Sequence, residues 1–215
     1  MDPEAGVPAD LASGRKEAIG PSQLKGLLEL PLIAALAVVI VVVLRAFVIQ
    51  PFYIPSASMV PQLRVNDKIV VSRISYRLHR PRRGDVIVFD RPPGAALDPH
   101  TVTTGGPLAF VTRRLGLVPR TDEFVKRVVG LPGEVVEGRN GHVYVSGALL
   151  VEPYLRPGLR TEPFAAHRVP PGQLWVMGDN RGDSEDSRFF GTIRTKAIVG
   201  RAILKVWPVT DLSFL

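Results

Sequence analysis

An unbroken apolar run from Leu30 to Leu44 is the feature that most restricts how this chain can fold. Apolar residues flank the run, and at about 1.5 Å per residue the whole segment just spans a hydrocarbon core about 30 Å thick. A buried core helix normally keeps a polar stripe, which is absent here. A cleaved signal peptide would need a small-x-small site, and none follows the run. We therefore predict an uncleaved transmembrane helix over residues 22–49.

The residues before this anchor indicate its orientation. Residues 1–21 are rich in Ala, Gly, Pro and Asp, have no apolar periodicity, and are predicted to form a disordered cytoplasmic tail. Arg15, Lys16 and Lys25 favour a cytoplasmic N-terminus and a single-pass topology with an extracytoplasmic C-terminal domain. Arg45, on the far side, opposes this charge asymmetry.

Residues 50–215 carry many short apolar runs separated by turn signals and almost no helical periodicity, which predicts a mainly β domain. The predicted strands are Val86–Phe89, Phe124–Val129, Val135–Val136, His142–Val145, Leu149–Val151, Leu174–Met177 and one or two strands within Ala197–Trp207. Residues 92–122 are predicted to form an insertion loop with one short helix over Pro107–Leu115. A polar, proline-rich stretch runs from the strand at Leu149–Val151 to Pro171.

Composition narrows the chemistry. The chain has no cysteine, which excludes disulfides and thiolate metal or redox sites. Its four histidines show no metal-ligand spacing, so the sequence predicts neither a metal nor a cofactor. The net charge of +7 suits an anionic membrane surface or nucleic acid equally. Residues 73–83 form a basic run, interpreted as a solvated face, with contact to anionic lipid as the functional alternative.

Two serines lie on a short segment between Pro55 and Pro61, and these prolines disfavour a helix there. A serine hydroxyl is a weak nucleophile unless a base accepts its proton. Lys126 is one candidate base. In a strand it shares a face with Phe124 and Val128, and burial there would lower its pKa, as a general base requires. The alternative is an ordinary lysine that extends from a half-buried strand to solvent.

Residues 178–188 contain almost no apolar side chain. Such a segment is normally an exposed loop. Its alternating acids, amides and arginines could instead form a buried network of hydrogen bonds.

These features, taken in order, resemble type I signal peptidase, the membrane-anchored serine protease family that removes signal peptides from exported proteins. The matching segments are Pro55-Ser-Ala-Ser-Met59 with Pro61, Arg83-Gly-Asp-Val-Ile-Val-Phe89, Val125-Lys-Arg-Val-Val-Gly-Leu-Pro-Gly133, Gly178-Asp-Asn-Arg181 with Ser184, Asp186, Ser187 and Arg188, and Val199-Gly-Arg-Ala202. The resemblance implies a signal-peptidase-type β catalytic domain behind one N-terminal transmembrane helix.

The resemblance also implies roles for individual residues. Ser58 corresponds to the nucleophile and Lys126 to the general base of a Ser/Lys dyad. Ser56 would complete the oxyanion hole together with the backbone N–H of Ser58, and Ser184 would orient the lysine amine. The supporting residues implied are Arg127, Asp179, Asp186 and Arg188.

The implied substrates are the signal peptides of secretory preproteins, cut after small-x-small motifs, with the lipid bilayer as a partner and the translocon as a further candidate. Nucleic acid is not an expected partner. An extended peptide bound at a strand edge sends alternate side chains into the enzyme, where shallow pockets admit only small residues. The residues that match such pockets are Ile54, Pro55, Leu63, Phe124 and Val125.

The chain departs from the family pattern in four places. Ala57 stands where many members have Gly, and Gln62 where Thr is common. The loop at residues 92–122 is longer than expected, whereas residues 138–171 leave room for only a reduced second β subdomain.

Three other functions compete with this interpretation. A Ser-His-Asp hydrolase would need a histidine in a suitable context, and a self-cleaving repressor with a Ser-Lys pair would carry a DNA-binding domain instead of an anchor. A membrane-tethered β module that binds anionic lipid or nucleic acid without catalysis would explain the anchor and the basic run. It would leave Ser58, Lys126 and the polar segment unexplained.

Overall fold

The computed structural model describes residues 31–41, 49–93, 95 and 123–215. The chain divides into two units, Met1–Val42 and Val43–Leu215. In the first unit, residues 31–41 form helix α1, and the side chains of this helix are exposed. Within the described ranges, no helix combines the length and the apolarity that crossing a membrane requires. The predicted tail, most of the predicted anchor, and the helix predicted at Pro107–Leu115 lie outside the described residues.

The larger sheet is antiparallel and supplies the frame of the second unit. Its strands are β1 (Ile49–Tyr53), β2 (Lys68–Ser72), β3 (Val86–Asp90), β4 (Glu123–Gly130), β9 (Gln173–Met177), β10 (Ile193–Arg194), β11 (Ile198–Trp207) and β12 (Ser213–Phe214). The strand order is β1-β2-β11-β3-β4-β9-β10, and β12 pairs with β11. Ile49, predicted as the last residue of the anchor, instead begins β1, where it pairs with Ser72.

The smaller sheet lies between β4 and β9 in the chain. Its strands are β5 (Val135–Arg139), β6 (His142–Val145), β7 (Ala148–Leu149) and β8 (Phe164–Arg168), in the order β7-β6-β5-β8. The turn between β5 and β6 has positive φ at both Asn140 and Gly141, as expected for a tight hairpin. Two short α-helices, α2 (Ser75–Leu78) and α3 (Ser187–Phe190), and two 3₁₀ turns, Thr195–Ala197 and Val209–Asp211, complete the described second unit.

Three clusters of buried apolar side chains form the core, and the second of them contains residues of both sheets. The first contains Phe52, Ile54, Met59, Leu63, Ile69, Val71, Val86, Val88 and Ala202. The second contains Val129, Val136, Val143, Val145, Val169, Trp175 and Met177. The third contains Ile87, Phe89, Val128, Leu174, Val176 and Ile193. Successive residues of β4 alternate between clusters, because side chains along a strand point to opposite faces.

The mainly β prediction is confirmed, and each predicted strand corresponds to an observed one. The segment Ala197–Trp207 forms a single strand, β11, with irregular register against both neighbours. The prediction did not include β1, β2, β10 or β12. It also missed β8 within the polar stretch that ends at Pro171. Four of its five residues are exposed, so the strand lacks the alternating apolar pattern that would have indicated it.

Candidate active site

The segment between β1 and β2 forms a closed, non-helical loop that carries Ser56 and Ser58. The Ile54 N–H donates to the carbonyl of Asp67 at 3.0 Å, and the Asn66 N–H donates to the carbonyl of Ile54 at 3.0 Å. Met59 is buried inside the loop. The loop is therefore anchored at its base by hydrogen bonds and at its tip by apolar packing.

Lys126 and Ser58 are in direct contact. The Nζ atom of Lys126 donates a hydrogen bond of 2.7 Å to the Oγ atom of Ser58. Lys126 is 5% exposed and Ser58 is 8% exposed. The ring of Phe124 lies 5.4 Å from the lysine nitrogen, and Ile87 pairs with Lys126 across the β3–β4 ladder. Burial disfavours the charged form of an amine in general, and this is the condition that the predicted role of Lys126 requires.

Ser56 lies on the same loop with its Oγ atom 3.3 Å from that of Ser58. Either hydroxyl can be the donor. The hydroxyl of Ser56 is thus beside the predicted nucleophile, and its role in an oxyanion hole stays a prediction.

The segment 178–188 is a hydrogen-bonded network and not an exposed loop. Asp179, Arg181, Ser184, Asp186 and Ser187 are all buried. Asp186 accepts two hydrogen bonds from the guanidinium of Arg188, at 2.8 and 2.9 Å, and one from the Gly178 N–H at 3.0 Å. The Asp186–Arg188 pair thus fixes both ends of the segment.

Gly178 allows the segment 178–188 to pack closely against Ser58. A Cβ atom at position 178 would lie 2.5 Å from the carbonyl oxygen of Ser58 and would also clash with the side chain of Ser184. Only glycine permits so close an approach. Gly178 therefore explains how a loop after β9 can touch the loop before β2.

Ser184 lies in the segment 178–188, but its hydroxyl makes no hydrogen bond that the described part of the chain shows. The hydrogen bond to the lysine amine that the resemblance implies is therefore absent from this structure. The tight contact with Gly178 places Ser184 next to the loop that carries Ser58. Its role as the residue that orients Lys126 stays a prediction.

Arg127, the residue after Lys126, forms a buried ion pair with Asp179. Arg127 donates to both carboxylate oxygens of Asp179, at 2.8 and 2.7 Å, and to the carbonyl of Gly84 at 2.7 Å. It also contacts the side-chain carbonyl of Gln62. Burial raises the pKa of Asp179, and the adjacent Arg127 partly offsets that effect.

A second buried ion pair was not predicted from the sequence. Arg181 donates to Glu152 at 3.0 Å, to the hydroxyl of Thr161 at 2.8 Å and to the carbonyl of Gly178 at 3.1 Å. The hydroxyl of Tyr154 donates to Glu152 at 2.7 Å, and burial beside this carboxylate raises the pKa of Tyr154. Glu152, Tyr154 and Thr161 come from the polar stretch between β7 and β8, where no apolar pattern indicated burial.

The five predicted pocket residues occupy different environments. Ile54 and Leu63 are buried in the first apolar cluster, against which Val125 packs. Phe124 packs against the third cluster, with its ring centroid 6.1 Å from those of Phe89 and Phe190. Pro55 is half-buried. Their contact with a substrate stays a prediction.

The arrangement joins a hydroxyl to a buried primary amine, and this pair can perform nucleophilic acyl transfer. The basic group in contact with Ser58 is a lysine, and this geometry argues against a Ser-His-Asp triad at Ser58. Ser58, Lys126 and the network of residues 178–188 come from three separate segments of the chain.

Comparison with known proteins gives consistent matches. The family described as "Signal peptidase, peptidase S26" matches residues 27–207. Signal peptidase I of Leptolyngbya laminosa is 39% identical over 182 residues, which cover 84% of this chain and 79% of that protein. Signal peptidase I of Mycobacterium tuberculosis strain H37Rv is 35% identical over 242 residues, covering 96% of this chain and 81% of that protein.

A signal peptidase I of Enterococcus faecalis V583 with a known crystal structure is 27% identical, with a TM-score of 0.41. This match covers 57% of this chain and 97% of that one.

Proposed function

The chain belongs to the signal peptidase family, peptidase S26, and we propose that it removes signal peptides from exported preproteins as a membrane-bound serine endopeptidase. In this proposal, Ser58 is the nucleophile and Lys126 is the general base. Family membership makes it a peptidase, hence a hydrolase. The observation that carries the catalytic assignment is the 2.7 Å hydrogen bond between Lys126 Nζ and Ser58 Oγ at a buried position.

Acylation begins with proton transfer. Neutral Lys126 accepts the hydroxyl proton of Ser58 while Oγ attacks the carbonyl carbon of the scissile peptide bond. The carbonyl π electrons move to oxygen and give a tetrahedral oxyanion. When this intermediate collapses, the C–N bond breaks, and the Lys126 ammonium returns its proton to the departing amine. The products are the free N-terminus of the mature protein and an ester between Ser58 and the signal peptide.

Deacylation repeats these steps with water. Lys126 accepts a proton from a water molecule as the water oxygen attacks the ester carbonyl. Collapse of the second intermediate breaks the bond to Oγ, and Lys126 returns the proton to Ser58. In both stages the oxyanion would be stabilised by the Ser58 N–H and the Ser56 hydroxyl. The Oγ atoms of Ser56 and Ser58 lie 3.3 Å apart, and this distance supports a Ser56 hydroxyl close to the developing oxyanion.

The substrate proposal follows from the surroundings of the dyad. Ile54 and Leu63 lie on the loop that carries Ser58, and the ring of Phe124 lies 5.4 Å from Lys126 Nζ. If these apolar side chains form the walls of the site, small residues would fit best at the first and third positions before the cut. Each added methylene in a tight apolar pocket costs about 1–3 kcal/mol in discrimination. Signal peptides with a small-x-small ending are the substrates we propose.

The membrane proposal rests on the sequence. Residues 22–48, which end just before β1, would anchor the chain in the cytoplasmic membrane, with the N-terminus inside and the catalytic domain outside. The lipid bilayer, and the translocon that delivers preproteins, are the partners we propose. A non-enzymatic module that binds lipid would need no buried lysine in contact with a serine.

The test is cleavage of a preprotein whose signal ends in Ala-x-Ala, incubated with the full chain in detergent or lipid. We expect wild type to cut after this motif, and both Ser58→Ala and Lys126→Ala to be folded and inactive. Ser213→Ala and Lys196→Ala are matched controls, since Ser213 lies on β12 and Lys196 is exposed. Wild-type protein that never cuts would refute the function. An active Lys126→Ala variant would refute the dyad.

A further inference from the structure

Asn180 holds the peptide groups on both sides of Ser58. Its backbone N–H donates to the carbonyl oxygen of Ser58 at 3.0 Å. Its side-chain Nδ2 donates to the carbonyl oxygen of Ala57 at 3.2 Å. These two bonds connect the loop after β9 to the serine loop more than a hundred residues earlier. The established acid–base chemistry of a Ser/Lys pair does not require either bond.

The bond to Ala57 has a geometric consequence for Ser58. The carbonyl of Ala57 and the N–H of Ser58 belong to one peptide group, which is planar and trans, so the two point in opposite directions. A donor that fixes the carbonyl therefore also fixes the direction of the N–H. The Val60 N–H donates to the same carbonyl at 3.1 Å, so the carbonyl is held from two sides. A hydrogen bond to a carbonyl also polarises its amide and strengthens the N–H as a donor.

Asn180 is itself rigidly placed. The preceding residue, Asp179, is fully buried and bonded to Arg127. The following residue, Arg181, is buried and bonded to Glu152 and Thr161. The Asp183 N–H donates to the carbonyl of Asn180 at 3.0 Å, which closes a turn around it. Two ion pairs thus fix the backbone on both sides of the amide.

We infer that Asn180 is a positioning residue that aims the Ser58 N–H at the oxyanion formed on the substrate. The inference rests on the proposed function, since it assigns a part of the same site. The two buried ion pairs then have a purpose beyond stability. They fix Asn180, and Asn180 fixes the peptide group that must bind the developing negative charge. Rigid donors aimed in advance at such a charge are effective because no reorganisation is needed during the reaction.

The kinetic test replaces Asn180 with Ala. Loss of an entire oxyanion donor typically costs 10²–10³ in kcat, and because this donor would be misaligned and not removed, we expect kcat to fall by about 10- to 100-fold. KM should stay unchanged, because ground-state binding does not depend on the oxyanion. The thermal unfolding midpoint should fall by only a few degrees, because one part-buried hydrogen bond is lost. Asn180→Asp should lower kcat further, since it puts a carboxylate against the Ala57 carbonyl. Gly182→Ala, an exposed change in the same loop where an added methyl group meets no neighbour, is the control and should match wild type.

A spectroscopic test does not depend on activity. The sequence contains two Ala–Ser pairs, Ala12–Ser13 and Ala57–Ser58. Protein labelled with ¹³C-carbonyl alanine and ¹⁵N-serine therefore gives two linked signals, and the Ser58→Ala variant identifies one of them. In Asn180→Ala we expect the Ala57 carbonyl and Ser58 amide to shift while the Ser13 signal stays in place.

The outcomes are separable. A Ser58 signal that does not move in Asn180→Ala would overturn the inference whatever the activity. A shifted signal with unchanged kcat would show that Asn180 holds the peptide without serving catalysis, which also overturns it. A rise in KM with constant kcat would assign Asn180 to substrate binding instead. Wild-type protein that cleaves no preprotein refutes the proposed function separately, before any variant is compared.

Discussion

Lys126 and Arg127 are consecutive basic residues on β4, and both are buried, but their contacts differ. The amine of Lys126 meets a hydroxyl at 2.7 Å. The guanidinium of Arg127 meets two carboxylate oxygens and a backbone carbonyl. Lysine can lose its proton when buried, whereas arginine cannot and presents a rigid fork of donors. One strand therefore carries the group that moves a proton in the proposed mechanism and, on its other face, a permanent charge that contacts the surrounding loops.

Replacing Lys126 should have the largest effect on cleavage. We expect Lys126→Arg to lower kcat/KM by about 10³-fold or more, since a guanidinium stays protonated and cannot act as a general base. The measurement is cleavage of an Ala-x-Ala preprotein, with circular dichroism to confirm folding. Lys196→Arg, on the surface, is the matched control. Substantial activity in Lys126→Arg would show that the base is a different residue.

Replacing Arg127 should affect the stability of the protein more than the rate of cleavage. Arg127→Lys keeps the charge but loses the bidentate bond to Asp179, and we expect the free energy of unfolding to fall by about 1.5–3 kcal/mol. Urea unfolding followed by tryptophan fluorescence measures this change. The control is Arg139→Lys, because Arg139 pairs with Glu137 at an exposed site, where an ion pair contributes about 0–1 kcal/mol. Equal losses in the two variants would contradict a special role for the buried pair.

A smaller change tests how far the framework around Arg127 extends. Glu152→Gln keeps an acceptor for Arg181 but removes the opposite charge, and we expect a loss of about 1–2 kcal/mol in the free energy of unfolding. Glu162→Gln, an exposed change in the same connection, should have no measurable effect. If Glu152→Gln were as stable as wild type, the charge of Glu152 in the connection between β7 and β8 would not be needed to hold Arg181.

The smallest effect concerns Tyr154, whose ring lies 4.0 Å from the guanidinium carbon of Arg127. Tyr154→Phe removes the bond to Glu152 and should cost about 1 kcal/mol at neutral pH. Burial raises the pKa of Tyr154 in the folded state, so above about pH 10 the unfolded state binds fewer protons than the folded state. Wild-type stability should therefore fall there, and Tyr154→Phe should lose less.

The measurement for Tyr154 is the difference in unfolding free energy between the two proteins from about pH 8 to about pH 11. The difference should narrow as pH rises. A difference that stays constant or widens would mean that Tyr154 ionises normally in the folded protein.

Much of the fold was predictable because it follows from local patterns. The strands β3, β4 and β9 are short apolar runs with turn residues at their ends, and these runs coincide with the observed elements. The strand β8 was missed because its residues are mostly exposed. Sequence periodicity reports burial, so an exposed strand produces no signal.

The site residues were predictable where a sequence motif contains them. They were not predictable where hydrogen-bond partners come from distant segments of the chain. Ser58 and Lys126 were predicted, and they lie in contact. Glu152 and Asn180 act through bonds to Arg181 and to the Ala57–Ser58 peptide group. No local pattern could indicate these pairs, because the partners lie 29 and 123 residues apart.

The pairing of β3 with β4 has a practical consequence. Asp90, at the end of β3, lies directly opposite Glu123, at the start of β4, and the ladder continues from there to Lys126. The chain therefore leaves and re-enters the sheet at one point. The register that positions Lys126 does not depend on the length of the connection between β3 and β4. Closing a longer loop costs little, about 0.6 kcal/mol for each doubling. The connection is thus a natural insertion site for a reporter or an affinity label that would leave the hydroxyl and the amine in contact.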